Sequence, residues 1–140
     1  MQVRPTVQTR FKIDLDWWEK QGRSFRVELW SHLCPGCRED FASHRGTEII
    51  DWVDPETAEV QRVDGLWHSL RTCCAERPEF ISGDISLMTA IFRLFLANGN
   101  TPLSPLEIWQ RLARRDPETI LRLLVRSRPY YGIRISETEG

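Results

Sequence analysis

Lysine is nearly missing from this chain. Of its 19 basic residues among 140, only Lys12 and Lys20 are lysine, and the other seventeen are arginine. Arginine is the better partner for phosphate and carboxylate, because its planar fork can bond two oxygens at once. Long apolar runs are missing as well. The longest, around Leu87–Ala97, is broken by Arg93, too short and too charged to span a bilayer. Met1-Gln2-Val3-Arg4-Pro5 contains no apolar h-region, so the expectation is a cytoplasmic chain without a secretory signal. The chemistry-bearing motifs are equally sparse. There is no His-Glu-x-x-His, no His-x-Glu followed by Pro-Cys-x-x-Cys, no Gly-rich phosphate loop and no Ser/His/Asp arrangement. Hydrolytic and deaminase chemistry therefore lack their residues, and the reading is of a non-catalytic protein. No internal repeat or low-complexity segment is found.

What remains is a globular composition, 41% hydrophobic and 28% charged, enough for one compact domain or two small ones. The formal net charge of −1 hides a segregation. From Glu39 to Asp64, eight acids face two arginines, a net of −6. From Thr101 to Ile135, seven arginines face three acids, a net of +4. Such asymmetry implies different partners for the two halves, or complementarity between them.

Cysteine is scarce and concentrated: Cys34 and Cys37 in Leu33-Cys34-Pro35-Gly36-Cys37, and the vicinal pair Cys73-Cys74, with none left over. In a chain without an export signal, four cysteines point to metal before disulfide. Two thiolates two residues apart in a tight turn can face one tetrahedral ion, and Pro and Gly shape such a turn. This spacing resembles a zinc knuckle. The expected ligands of a structural Zn2+ are Cys34, Cys37, Cys73 and Cys74. His68, His44 and His32 are competing donors, and His68 or His44 in place of Cys73 or Cys74 stays open. Helical phase places Leu66, Leu70, Cys73 and Cys74 on one face and His68 roughly opposite. The competing reading makes Cys73 and Cys74 buried apolar side chains and Cys34/Cys37 a reducible pair. Redox Cys-x-x-Cys pairs open a helix in a βαβ setting, and none is expected here.

Period-two alternation predicts a strand from Val7 to Leu15 and a second from Phe25 to Trp30, leading into the cysteine turn. Asp16-Trp17-Trp18-Glu19 has capping-box spacing, and Gly22 ends the short helix it would start. Residues 49–53 and 58–63 flank Asp54-Pro55-Glu56-Thr57 as a hairpin. Asp64 then caps a helix from about Leu66 to Glu76, and 79–84 reads as a linker. Beyond it, Ile85, Met88, Ile91, Phe92, Phe95 and Leu96 follow helical spacing, closed by Asn98-Gly99-Asn100. Ser104-Pro105-Leu106-Glu107 and Asp116-Pro117-Glu118 start two further helices. Tyr130, Tyr131, Ile133 and Ile135 form an extended segment around Gly132.

Three helices followed by a strand, over about residues 85–135, resemble the winged-helix superfamily, most closely the small HARE-HTH type. The resemblance implies that the helix from Pro117 to about Arg126 is a recognition helix. Its candidate nucleic-acid contacts are Arg115, Arg122, Arg126 and Arg128, since arginine suits guanine edges and phosphates. The segment Arg128–Ile135 is short for a basic wing, and Glu118 would repel phosphate at the helix start. The expectation is thus an α+β protein: a zinc-stapled β-rich domain over residues 1–80 packed with a winged-helix-like domain over 84–136. It would be nucleic-acid-associated, with duplex DNA as partner. The alternative is a protein-interaction or homodimerising module built on the six tryptophans and the acidic hairpin. A thiol or zinc enzyme ranks behind both.

Overall fold

The computed structural model describes residues 4–40, 50–53, 56–126 and 131–136. The protein is α+β, with helices predominating and each small sheet two-stranded among the described residues. No helix of the described residues is long and apolar enough to cross a membrane. The chain divides into two compact units, Ser24–Phe80 and a second made of Met1–Arg23 with Ile81–Gly140. Compared with the expected 1–80 and 84–136, the first 23 residues group with the C-terminal half.

In the unit of residues 24–80, the stretch expected as a second strand is a helix, α2 (Phe25–Ser31). Six alternating residues fit either period, and the cap decides. Ser24 Oγ accepts the Val27 N–H at 3.2 Å, fixing a helix start. Burial then follows the helix: Leu29 and Leu33 are inside, whereas Val27 is 45% exposed. The Cys-Pro-Gly-Cys run is likewise no strand-to-turn link. It opens α3 (Pro35–Asp40), where Arg38 N–H donates to Cys34 O at 3.0 Å and Pro35 takes the first helical position. Among its described residues the unit therefore has more helix than strand, and the expected β-rich character is not seen there.

The hairpin forms as expected from β2 (Ile50–Val53) and β3 (Val60–Val63), antiparallel with Ile50 opposite Val63 and Val53 opposite Val60. Helix α4 (Gly65–Thr72) starts at Asp64, whose Oδ1 accepts from the Leu66 and Trp67 amides at 2.9 and 3.2 Å. Arg26 forms an ion pair with the same carboxylate. Leu66 and Leu70 of α4 are fully buried, as is Leu29 of α2, and these two helices pack together. The expected continuation to Glu76 fails at Cys73, whose φ of −122° and ψ of −64° leave the helical ladder. A 3-10 turn, Cys74–Glu76, follows, and a second, Pro78–Ile81, overlaps the start of the expected linker.

In the other unit, β1 is shorter than the alternation predicts, Phe11–Ile13. Asp14 ends it by capping α1 (Leu15–Lys20), its carboxylate accepting the Asp16 amide at 3.1 Å. The helix thus starts two residues before the expected box at Asp16. Strand β1 pairs antiparallel with β4 (Ile133–Ile135), Phe11 opposite Ile135, and its other edge bridges Leu103. The helices α5 (Leu87–Ala97), α6 (Pro105–Leu112) and α7 (Pro117–Arg126) stand where their caps predict. The α6 start is a complete capping box: Ser104 Oγ accepts the Glu107 amide and Glu107 Oε1 accepts the Ser104 amide. Phe92, Phe95, Trp18, Ile108 and Ile120 fill the core.

Candidate metal centre

Four sulfurs meet in the unit of residues 24–80 because the start of α3 and the end of α4 converge. Cys34 immediately precedes α3, and Cys37 lies one turn inside it. Cys73 and Cys74 sit where α4 gives way to the 3-10 turn. Adjacent residues on a regular helix diverge by about 100°. The break at Cys73 removes that restriction, so both vicinal side chains can aim at one point. All four Sγ atoms lie within 4.8 Å of one another, and no disulfide joins them. Among the described residues no histidine joins this group of donors. His68 lies on α4, outside the sulfur cluster. His32 is buried and hydrogen-bonded to Glu28 Oε2 at 2.9 Å, and His44 lies outside the described residues.

The donor set fits a soft tetrahedral cation. A tetrahedron with metal–sulfur bonds of about 2.3 Å has sulfur–sulfur edges of about 3.8 Å, within the observed spread. Thiolate ligands also need outer donors to spread their charge, and these are in place. The Cys34 backbone N–H donates to Cys74 Sγ at 3.1 Å. The Ser69 hydroxyl donates to Cys37 Sγ at 3.4 Å. The exposed Arg77 guanidinium is pushed up first by the charge of Cys34 and then by a hydrogen bond to Cys73.

The four thiols are electrostatically unequal. Burial would push Cys34 up, but the Cys37 amide and the three neighbouring thiols outweigh it and hold Cys34 down at about 6. Burial pushes Cys37 up, and pushes Cys74 up further. Exposure follows the same division. Cys37 and Cys74 are 6% and 1% exposed, whereas Cys34 and Cys73 are half-buried. Sequence reasoning missed Ser69 and Arg77. Ser69 precedes Cys73 by four residues, a helical offset that could have flagged it, whereas Arg77 depends on the turn after α4.

The arginines expected to touch nucleic acid belong to the other unit. Arg122 and Arg126 are exposed on α7 and, with Thr119 and Leu123, line an open groove. Arg122 Nη2 donates to Thr119 Oγ1 at 3.4 Å. Arg115 is exposed in the α6–α7 turn with φ of 59°. Asp116 caps α7, its Oδ1 accepting the Thr119 amide at 2.7 Å, and that bond holds its carboxyl below the usual range. Glu118 is exposed in the first turn of α7, where the sequence places it. Arg128 lies outside the described residues.

The tryptophans are mostly absorbed by their own units. Trp18 is buried, meets Trp17 edge-on at 5.5 Å, and donates through Nε1 to Tyr131 O at 2.9 Å. Arg23 lies over both rings. Trp109, at 39%, is the exposed tryptophan among the described side chains. No protein-family model matches the chain, and neither a curated protein nor a solved structure matches it.

Proposed function

We propose that this is a small, non-catalytic zinc protein in which Cys34, Cys37, Cys73 and Cys74 hold one structural Zn2+. The observation that carries the reading is the gathering of four free thiols within 4.8 Å at the junction of α3 and α4. Four thiolates fill a tetrahedral shell and leave no position for a reactive water, so the ion serves folding rather than catalysis. A unit of 57 residues, 24 to 80, falls in the size range where a hydrophobic core alone is marginal and a metal is a common staple. Elemental analysis of the purified protein should find about one zinc per chain. Stoichiometric zinc persisting after loss of both Cys34 and Cys37 would overturn the assignment.

For the other unit we propose a winged-helix-like nucleic-acid contact made by α7. Support comes from the element order α5, α6, α7, β4, with Leu103, β1 and β4 in one ladder beside the helices. Arg122 and Arg126 lie together on the exposed face of α7. Duplex binding that falls with salt and weakens in Arg122→Ala and Arg126→Ala is the expected result. The rival reading, a protein-interaction module, draws on Val53 and Val60. These stand opposite each other in the hairpin, 57% and 63% exposed. Absence of duplex binding at low salt, with a stable dimer in solution, would favour it.

A further inference from the structure

The four sulfurs of the cluster form two unlike pairs. Cys37 and Cys74 are nearly inaccessible, and each Sγ accepts a hydrogen bond, from Ser69 Oγ and from the Cys34 amide. Cys34 and Cys73 are half-buried. They also occupy the ends of their helices: Cys34 immediately precedes Pro35 of α3, and Cys73 stands where the α4 ladder fails. Exposure thus falls on Cys34 and Cys73, and burial on Cys37 and Cys74.

We propose that Cys34 and Cys73 are an oxidative modification site of the cluster, at which a hydroperoxide drives formation of a Cys34–Cys73 disulfide. The Cys34 thiolate attacks the peroxide: an S–O bond forms, the O–O bond breaks, and the departing alkoxide or hydroxide takes a proton from water. The Cys73 thiolate then attacks the sulfenic sulfur. The S–S bond forms, the S–O bond breaks, and hydroxide leaves. The two thiolates lose two electrons in all, and the hydroperoxide accepts them. The sulfurs start within 4.8 Å of one another and close to about 2.05 Å in the disulfide.

Loss of two of four thiolates leaves Cys37 and Cys74 as the only ligands, so oxidation at this edge also releases the ion. That consequence rests on the zinc reading above; the order of thiol reactivity does not. The alternative product, Cys34–Cys37, is the usual one for a Cys-x-x-Cys run. Here it would require a buried sulfur held by Ser69 to move outward.

The test uses the whole 140-residue chain as purified. Its zinc content is measured first, and hydrogen peroxide is then added at up to one equivalent. Released zinc is followed with a chromogenic chelator, and the disulfide is mapped by peptide mass spectrometry. The expected first product joins Cys34 to Cys73, with zinc release in step. In parallel, limiting N-ethylmaleimide should label Cys34 and Cys73 about tenfold faster than Cys37 and Cys74, since reactivity follows access. A first disulfide containing Cys37 or Cys74, or equal labelling of all four, overturns the proposal. A protein without zinc that still forms Cys34–Cys73 would leave the modification site standing and defeat the metal reading instead.

Discussion

Ser69 and Gly132 each hold a position that composition does not advertise. The Ser69 hydroxyl donates to the buried Cys37 sulfur, and outer-shell donors of this kind orient a ligand and moderate its charge. Ser69→Ala is expected to lower zinc affinity by about tenfold, the low end for such partners, while Thr72→Ala on the exposed end of α4 should not. Chelator competition at equilibrium measures both. Gly132 adopts φ of +72°, and a Cβ there would stand 2.7 Å from Trp17 Cε3 and 2.9 Å from Trp18 Nε1. The second ring is buried and fixed by its bond to Tyr131 O, so it has little room to yield. Backbone strain and overpacking therefore act together, and Gly132→Ala should destabilise the protein by about 2–3 kcal/mol in denaturant unfolding.

Among the secondary-structure elements, the best-defined beginning is that of α6. Its capping box satisfies two amides reciprocally, and Ser104→Ala should cost about 1 kcal/mol. The bond from the Ser104 amide holds the Glu107 carboxyl below its usual range, and nearby Arg10 adds to this. A depressed native value means that this contribution is complete above the unfolded carboxyl's pKa and is lost as pH falls through the lower native one. The stability gap between wild type and Glu107→Ala should accordingly narrow on acidification through that window; a gap constant with pH would show that the carboxylate is not what matters.

Features set by neighbours in sequence were readable in advance: this box, the Asp64 cap, the Asn98-Gly99-Asn100 stop and the hairpin. Asn100 and Gly99 indeed carry φ of 62° and 72°. The α2 segment was not, because six residues cannot separate a period of 2 from one of 3.6, and only the Ser24 cap settles it. For the cluster, the four cysteines were identifiable by type. The kink that lets Cys73 and Cys74 converge was not, since it arises where α4 stops. Least readable was the partner of β1, three residues that pair across more than 110 positions of chain with three others.

That long-range pairing decides how the protein can be divided. From caps and apolar faces alone, residues 82–140 look self-sufficient: three helices, each started and stopped by its own residues. The structure places three further requirements in residues 4–23. β1 supplies the ladder partner of β4 and of Leu103. The Ile13 N–H donates to Asn100 Oδ1 at 2.8 Å, and the Ile13 carbonyl accepts from Asn100 Nδ2 at 2.9 Å. Trp18, 1% exposed, fills space against Phe92 at a ring separation of 6.1 Å. Removing a buried aromatic costs about 3–5 kcal/mol, and orphaning a paired amide about 1–3 kcal/mol, against a total stability of about 5–15 kcal/mol for a typical domain. A fragment of residues 82–140 should therefore show helical signal without a cooperative melt. Adding a synthetic peptide of residues 4–23 should restore a transition whose midpoint rises with peptide concentration, as mass action requires. A fragment that melts cooperatively alone, at the midpoint of the whole protein, would show that the three helices suffice and that β1 and Trp18 only decorate them.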